Sequence, residues 1–230
     1  MTQKKKLLKY ETTKLFYNKY LYSLSVNSEL TPIFRNKNFK YACTVLDKLQ
    51  ADFEAGRPLI RSFGRYEAPI LLEHFLDART IYNELTRYKN SYLLRCENRH
   101  LNLYTNDISF LHKLSNKCKH AKSLHQPAKK HLEFIKNNTN TIIVKNSKYD
   151  YKITFGSNLV PETLGSWLEA NRDKVKFSNM LLADLKKNQK YMNGRYIYIT
   201  NEKVLMLFKI LAGECIQRID KLVCASDIDK

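Results

Sequence analysis

The sequence predicts an α+β protein with amphipathic helices packed on mixed or mainly antiparallel sheet segments, and with a long C-terminal helix. Two observations lead to this class. Some stretches place hydrophobic residues at every second position, as half-buried strands do, and others place them three or four positions apart, as amphipathic helices do. The two kinds of stretch alternate too irregularly for a doubly wound parallel sheet. With 230 residues, of which 43% are hydrophobic, the chain is long enough to bury a core.

The first half of the chain contains the clearest patterns. Residues 19–26 (KYLYSLSV) alternate as a strand does, and residues 39–53 have helical spacing that ends before a glycine. A second amphipathic helix is predicted at 70–85, and residues 91–106 are typical of a hairpin. A helix beginning at Asp107, a connection rich in Lys and His, and a short helix near 128–137 complete this half.

The second half is predicted to contain three strands and three helices. Its first two strands would pair across a short turn, two helices follow, and the last strand leads into the long C-terminal helix. The predicted strands are 140–146, 149–156 and 195–201, and the predicted helices are 161–175, 178–189 and 202–223.

The predicted elements divide into two regions. An N-terminal α+β region covers 1–137 and includes a basic segment at 112–137, and a C-terminal α+β region covers 138–230. One continuous domain is the alternative, because the 6 Gly and 5 Pro are too few for a long flexible linker.

The cysteines and the N-terminus bear on the cellular compartment. The five cysteines are odd in number, scattered and never in a C-x-x-C pair, which argues against a disulfide framework or a zinc ribbon. The N-terminus lacks the apolar core of a signal peptide, and no 18 apolar residues run together. We therefore expect a protein of a reducing, cytoplasmic compartment (host cytoplasm or virion if the source is viral), with no membrane partner.

Net charge is the strongest global property. The 40 Lys and Arg against 22 Asp and Glu give a charge of +18, which attracts polyanions through long-range fields and counterion release. The excess lies in two blocks, 1–65 and 112–152, each with a net charge of +8. This distribution predicts nucleic acid, DNA or RNA, as the partner.

Two similar strand-to-helix joints, TND at 105–107 and TNE at 200–202, are candidates for a phosphate site. Asn106 and Asn201 are predicted to cap the helices, with Asp107 and Glu202 placed favourably against the helix dipole. An acid at this position would repel a phosphate, so we interpret both joints as structural. With Asn106 aligned on Asn201 the hydrophobic stripes fall out of phase, which argues against an internal duplication.

Two basic segments are the predicted phosphate contacts. The helix beginning near Asn36 or Asn38 has no acid in its first turn and carries Arg35, Lys37 and Lys40 around its start, so dipole, free N–H groups and cations all favour an anion. A solvated basic loop is the alternative. The second segment contains six lysines uninterrupted by any acid, which suit phosphate contacts: Lys113, Lys117, Lys119, Lys122, Lys129 and Lys130.

Tyrosines provide a third indication. Tyr196 and Tyr198 share one face of their predicted strand, and two isoleucines lie on the other. A sheet that buries its aliphatic face and exposes tyrosines can stack nucleic-acid bases. The alternative is that helices cover both faces.

Catalytic and metal-binding patterns are weak. Glu73, His74 and Asp77 lie within one helical turn, and Asp150-x-Lys152 imitates half of a nuclease motif, but no second acidic cluster is spaced to complete a metal pair. A second group, Cys118, His120 and His125, matches no zinc-motif spacing. No catalytic residue, metal or cofactor is predicted.

The sequence thus predicts a nucleic-acid-binding protein that contacts the phosphate backbone. A structural or assembly protein of a virion or ribonucleoprotein particle is one alternative, and a metal-dependent nuclease is the other. The richness in Lys, Asn, Tyr and Ile is what AT-rich codons encode, which is compatible with a phage or viral source.

Overall fold

The computed structural model describes residues 7–63, 66–187 and 189–228. It divides the chain into two compact units, Met1–Ala128 and Lys129–Lys230. We call these the first and the second unit. The sequence prediction placed the division after residue 137.

The first unit contains a five-stranded sheet with helices on one face and a separate two-stranded hairpin. Its strands are β1 (Leu8–Thr12), β2 (Tyr22–Asn27), β3 (Ile60–Phe63), β4 (Tyr66–Pro69), β5 (Tyr92–Glu97), β6 (His100–Thr105) and β7 (Ala121–Pro127). Its helices are α1 (Phe39–Glu54), α2 (Leu72–Arg87) and α3 (Ile108–Lys117), and a 3-10 helix, Thr31–Lys37, precedes α1. The predicted hairpin is confirmed as β5–β6, with Asn98 of its turn at φ 54°.

The sheet of the first unit has the order β1-β7-β2-β6-β5. The edge strand β1 is parallel to β7, and all the other neighbours are antiparallel. Alternation along β2 and β6 sends Leu24 and Leu103 into a core to which α1, α2 and α3 contribute Leu46, Ile81 and Leu114. The strands β3 and β4 form a separate two-stranded hairpin.

The second unit repeats this plan, and most of its elements are shorter. Its strands are β8 (Thr141–Val144), β9 (Tyr151–Phe155), β10 (Val175–Lys176), β11 (Tyr196–Ile199) and β12 (Ile216–Cys224). Its helices are α4 (Leu132–Asn137), α5 (Leu164–Ala170), α6 (Asn179–Lys186), α7 (Glu202–Ala212) and α8 (Ala225–Ile228). The helices α5, α6 and α7 bury Leu168, Leu181 and Phe208 against Ile153 and Ile197 of the sheet.

The two sheets have the same topology. Starting from the parallel edge strand, their orders are β1-β7-β2-β6-β5 and β8-β12-β9-β11-β10, and each strand pair matches its counterpart in direction. A β-bulge also recurs at the second residue of β7 and of β12, at Lys122 and Gln217. Bulges are designed features rather than defects, so a bulge shared at one position indicates a structural repeat.

The two joints confirm this repeat once the capping residues are aligned. Asp107, not Asn106, caps α3 by accepting a hydrogen bond from Phe110 N at 2.9 Å, and Asn201 caps α7 by accepting from Val204 N at 3.1 Å. The predicted capping role of Asn106 is therefore wrong. Counted from the caps, buried residues occur at the same offsets of three, four and seven in both helices: Phe110, Leu111 and Leu114 in α3, and Val204, Leu205 and Phe208 in α7.

Asn106 has a different role in the first unit. Its side chain accepts a hydrogen bond from Leu21 N at 2.8 Å and donates one to Lys19 O at 3.1 Å. It therefore fastens the chain before β2 to the end of β6. The sequence alignment of Asn106 with Asn201 was off by one residue, which is why the hydrophobic stripes were out of phase.

We expect Asp107→Ala and Asn201→Ala each to lower the free energy of unfolding by about 1 kcal/mol, because each removes the side-chain acceptor at a helix start. Asn116→Ala, at an exposed position late in α3, is the control and should change it little. Urea denaturation followed by circular dichroism measures both. An Asp107→Ala variant as stable as the wild type would contradict the assigned cap.

The predicted long C-terminal helix is wrong. The helix α7 ends at Ala212, residues Gly213–Cys215 form a 3-10 turn, and 216–224 form the strand β12. This strand lies between β9 and β8 and is hydrogen-bonded to both, so pairing on two sides overrides the local helical spacing. The sequence predicted that β8 and β9 pair with each other. This prediction is wrong, because β12 lies between them.

No helix among the described residues is both long and apolar enough to span a bilayer.

Candidate nucleic-acid interface

The sheet of the second unit has one hydrophobic and one polar face. Alternation along β9 and β11 directs Ile153, Ile197 and Ile199 into the core beneath the helices. The opposite face carries Lys152, Tyr196 and Tyr198, with Lys152 directly across from Tyr198. Lys176 of β10 lies on the other side of Tyr198. This is the arrangement that the tyrosine pattern predicted, and we call it the tyrosine–lysine face.

The tyrosine–lysine face is held together by ring contacts. The Nζ atom of Lys152 lies 4.0 Å from the centroid of the Tyr196 ring and 6.0 Å from that of Tyr198. The two tyrosine rings meet edge to face, with centroids 5.6 Å apart. Cation–π and edge-to-face contacts of this kind stabilise the arrangement before any ligand binds. Burial raises the pKa of the Tyr198 hydroxyl.

A buried ion pair supports Lys152 from the neighbouring strand. Asp220 of β12 lies opposite Lys152 and is only 1% exposed. Its Oδ2 atom accepts from Arg218 Nε at 2.9 Å and lies 2.8 Å from Arg218 Nη2. Burial lowers the pKa of Lys152, and the charge of Asp220 opposes this by raising it. Two cations therefore share one carboxylate, and the group keeps a net positive charge.

A cavity of about 520 Å³ opens beside the tyrosines. Aromatic and thioether side chains form its apolar walls, and two basic side chains reach it. Arg195 is oriented by Asp184, whose Oδ2 accepts from Nη2 at 2.8 Å, whereas Lys176 makes no ion pair with any residue that the structure describes. The lining side chains that matter here are Lys176, Phe177, Met180, Arg195, Tyr196 and Tyr198.

The equivalent face of the first unit is differently built. Counted from the helix caps, Tyr104 of β6 corresponds to Tyr198, and Asn102 to Tyr196. Phe16 and Tyr17 cover Tyr104, with ring centroids 5.2 and 5.0 Å away. The first unit therefore keeps the topology but has no open pair of tyrosines at these positions.

The predicted anion site at 35–40 contains an arginine pocket. A cavity of about 550 Å³ is bordered by Arg35, Arg61 and Arg99. Glu29 is paired with two of them: its Oε2 lies 3.4 Å from Arg61 Nε, and its Oε1 lies 3.2 Å from Arg99 Nη1. Two of the three guanidinium groups therefore share one carboxylate, and the planar donors of arginine suit phosphate oxygens. Sequence reasoning missed Arg61 and Arg99, because they come from β3 and from the β5–β6 turn.

Lys37 and Lys40 do not line the pocket, whereas Asn36 and Asn38 do. Lys37 donates from Nζ to Tyr92 O at 2.8 Å and lies 4.0 Å above the Tyr92 ring, so it is bound to β5. Lys40 is exposed on the first turn of α1. Asn38 caps α1 by accepting from Tyr41 N at 3.0 Å. The first turn of α1 contains no acid, as the sequence indicated. However, the Tyr41 N–H group already donates to Asn38, so it is not free to bind an anion.

The lysines of 113–130 fall into two groups. Lys113 and Lys117 both pair with Glu84, at 2.9 and 2.5 Å, and Lys119 pairs with Glu73. Both acids belong to α2. The sequence of the lysine segment did not indicate that α2 packs beside it. Lys122, Lys129 and Lys130 are exposed, the first at the β7 bulge and the other two in the 3-10 turn before α4. Three of the six lysines in this segment therefore already have acidic partners.

The helix residues of the nuclease alternative, Glu73, His74 and Asp77, are occupied by structural contacts, whereas Asp150 is exposed. Asp77 is 3% exposed, and its two oxygens accept from Lys119 N, His120 N and His120 Nδ1 at 2.8–2.9 Å. His74 stacks on His120 with centroids 4.1 Å apart, and burial lowers the pKa of His74. Lys119 lowers the pKa of Glu73 by hydrogen bonding. Together these contacts fasten the chain before β7 to α2.

Potential metal ligands do not come together. Cys118 lies in the core, where burial strongly raises the pKa of its thiol. His125 instead stacks on Tyr10, with ring centroids 5.0 Å apart. Within 7–63, 66–187 and 189–228, no three His, Cys, Asp or Glu residues are grouped so that they could hold a metal ion.

Comparison of the chain with known protein families, curated proteins and solved structures finds no match.

Proposed function

We propose that the protein binds nucleic acid, mainly through contacts to phosphates. The tyrosine–lysine face carries this proposal, because Lys152, Lys176, Tyr196 and Tyr198 combine cations with stacking surfaces on a sheet face opposite the helices. Positive side chains beside aromatic rings are what proteins use to follow a phosphate backbone and stack bases. The arginine pocket is the second proposed phosphate contact.

The charge of both units supports this proposal. The first unit has 22 basic and 11 acidic residues, and the second has 18 and 11. The net charges of +11 and +7 make each unit attractive to a polyanion over the range of the Debye length. The five cysteines are free thiols, which fits the reducing, cytoplasmic compartment that we propose as its location.

The structure refines which basic residues we propose as phosphate contacts. Arg35, Lys176 and the exposed lysines 122 and 129 remain candidates. Lys113, Lys117 and Lys119 do not, because a phosphate would have to compete with the carboxylate that each already contacts. Lys37 is likewise bound to the backbone and ring of Tyr92.

Salt titration tests the proposal. For a mixed-sequence oligonucleotide, Arg35→Ala with Lys176→Ala should make the slope of log Kobs against log[salt] shallower by about 2, because each lost phosphate contact contributes about 0.9. The control pair Lys113→Ala with Lys117→Ala removes the same net charge, but from residues paired with Glu84, and should change the slope little. A wild-type slope near zero would exclude electrostatic binding, and equal changes in both pairs would mean that the contact is spread over the whole surface.

A further inference from the structure

The cavity beside the tyrosines combines apolar and positive walls in a way that the phosphate contacts do not require. Its volume is about 520 Å³, which lies within the range of small-ligand sites. Tyr196 is 47% exposed and Met180 is 60% exposed, so hydrophobic side chains line an accessible concavity. Phosphates alone would bind to a flat cationic surface, and an aromatic concavity suits a flat heterocycle.

Tyr196 is prepared to stack on one side only. The ammonium group of Lys152 lies 4.0 Å from its ring centroid and is not among the groups that line the cavity. Lys152 therefore occupies one face of the ring, and Tyr198 meets the ring edge to face. Because Tyr196 is still about half exposed and lines the cavity, the ring surface that faces the cavity is accessible to a base. A cation against the back of the ring also fixes its orientation. Phe177 and the flexible Met180 complete the apolar wall, and a Met side chain adapts to bases of different size.

The positive groups lie where a backbone next to the base would pass. Lys176 is exposed, contributes to the cavity wall and lies across from Tyr198 in the sheet. Arg195 is held by Asp184 and also contacts the Met180 Sδ at 3.2 Å. Its charge is partly compensated, which leaves Lys176 as the cation that can pair with a phosphate.

We propose that this cavity holds one unpaired base of a single-stranded nucleic acid, stacked on Tyr196, with the adjacent phosphate bound by Lys176. A base inside a duplex is paired and stacked on both sides, so it would have to leave the helix to enter, at a cost of unpairing. A single strand avoids that cost. This inference rests on the proposed function and adds the strandedness of the ligand and the position of one base.

Stacking on an aromatic ring tolerates every base, because each base has a π-face. The cavity is therefore a site without strong sequence preference. Stacking on the base and pairing with the phosphate do not use the 2′-hydroxyl of the sugar. Single-stranded DNA and RNA of the same sequence are therefore both suitable probes.

The experiment compares a mixed-sequence single strand with the duplex of the same sequence at fixed salt. The single strand should bind more tightly than the duplex. Tyr196→Leu should weaken single-strand binding by about 5- to 150-fold, the effect of losing one stacked base, and leave duplex binding and the single-strand salt slope unchanged. Tyr196→Phe should retain wild-type affinity, since it keeps the ring. A 2-aminopurine in the strand should lose fluorescence on binding to the wild type but not to Tyr196→Leu.

The control is Tyr191→Leu, which removes another tyrosine, 64% exposed and outside the cavity, and should leave both affinities unchanged. The proposed function itself fails if neither strand form binds. The inference alone fails if both forms bind with a steep salt dependence but Tyr196→Leu changes neither, or lowers both equally. Because Tyr196 is about half exposed, the Leu variant should keep the wild-type melting curve; if it does not, loss of affinity in Tyr196→Phe would still overturn stacking.

Discussion

Asp77→Ala should lower the free energy of unfolding of the first unit by about 3 kcal/mol or more. The reason is that Asp77 is a buried acceptor for three donors: the backbone N–H groups of Lys119 and His120, and His120 Nδ1. Each buried donor left without an acceptor costs about 1–3 kcal/mol. Alanine provides no acceptor, and water reaches this site poorly because Asp77 is 3% exposed.

The Asn variant tests the charge and geometry of the same site. Asp77→Asn keeps the size of the side chain but replaces one acceptor oxygen with a donor NH₂ group. In either orientation of the amide, the NH₂ group would face a backbone N–H donor, that of Lys119 or that of His120. We therefore expect Asn to restore little of the lost stability. Glu73→Ala is the control on the same helix. It removes a carboxylate that pairs with Lys119 but is 39% exposed, so it should shift the unfolding midpoint little.

Urea denaturation followed by far-UV circular dichroism measures the loss. The only tryptophan, Trp167, belongs to the second unit, so its fluorescence provides an independent reading of that unit in the same samples. Asp77→Ala should shift the dichroism transition to lower urea concentration. An unchanged dichroism transition would show that the three donors find other partners, and the assigned role of Asp77 would then be wrong.

Sequence periodicity was sufficient for the helices that cover the first sheet. The helices α1 and α2 each bury one hydrophobic stripe at three- and four-residue spacing, and both begin and end within two residues of the prediction. The hairpin β5–β6 was equally evident, because two alternating runs flank a tight turn. Such elements are predictable because the residues that determine them are adjacent in the sequence.

The strand β7 was missed because its neighbours decide its structure. Its polar residues Ser123 and His125 had suggested a connection rich in Lys and His, but β7 pairs with β2 on one side and β1 on the other. The ladder bonds and the burial of Leu124 outweigh its polar composition. The strand β12 was mistaken for helix for a related reason: Cys215, Ile219 and Leu222 are spaced four and three apart, as on a helix, whereas pairing with β9 and β8 makes the segment a strand.

Charge was predictable in amount but not in arrangement. The lysine-rich segment contains no acid, yet Glu73 and Glu84 of α2 lie against it in the fold. In the same way, Arg61 and Arg99 join Arg35 from distant elements. A count along the chain therefore located the basic character correctly, whereas the folded structure decides which cations remain available to a phosphate.

The second large effect is expected from Asp220→Ala, which should destabilise the second unit by about 3 kcal/mol. Asp220 is 1% exposed and compensates both Arg218 and Lys152. Removing one partner of a buried pair leaves uncompensated charge, which costs about 3–5 kcal/mol when burial is complete; Arg218 is 28% exposed, so the lower end applies. Asp150→Ala, at an exposed position, is the control with the same change in net charge.

The dependence of this effect on pH identifies its cause. Burial lowers the pKa of Lys152 and Asp220 raises it, so the pKa of Lys152 should fall further in Asp220→Ala. A base whose pKa is lower in the folded than in the unfolded state binds fewer protons when folded, and its unfavourable contribution to stability is relieved as the pH rises. The deficit of Asp220→Ala relative to the wild type should therefore shrink as the pH approaches 10.5, the ordinary value for lysine.

The double variant Asp220→Ala with Lys152→Met separates this cause from lost packing. Met keeps the length of the side chain but has no charge, so the double variant should be more stable than Asp220→Ala at neutral pH and should lose the pH-dependent recovery. Trp167 fluorescence reports the transition directly, because its ring packs on Phe208 of the second core at a centroid distance of 5.3 Å. The contradicting result is a loss of stability in Asp220→Ala that stays constant with pH and that Lys152→Met does not reduce. Asp220 would then act through Arg218 alone, and the charge of Lys152 would not need its compensation.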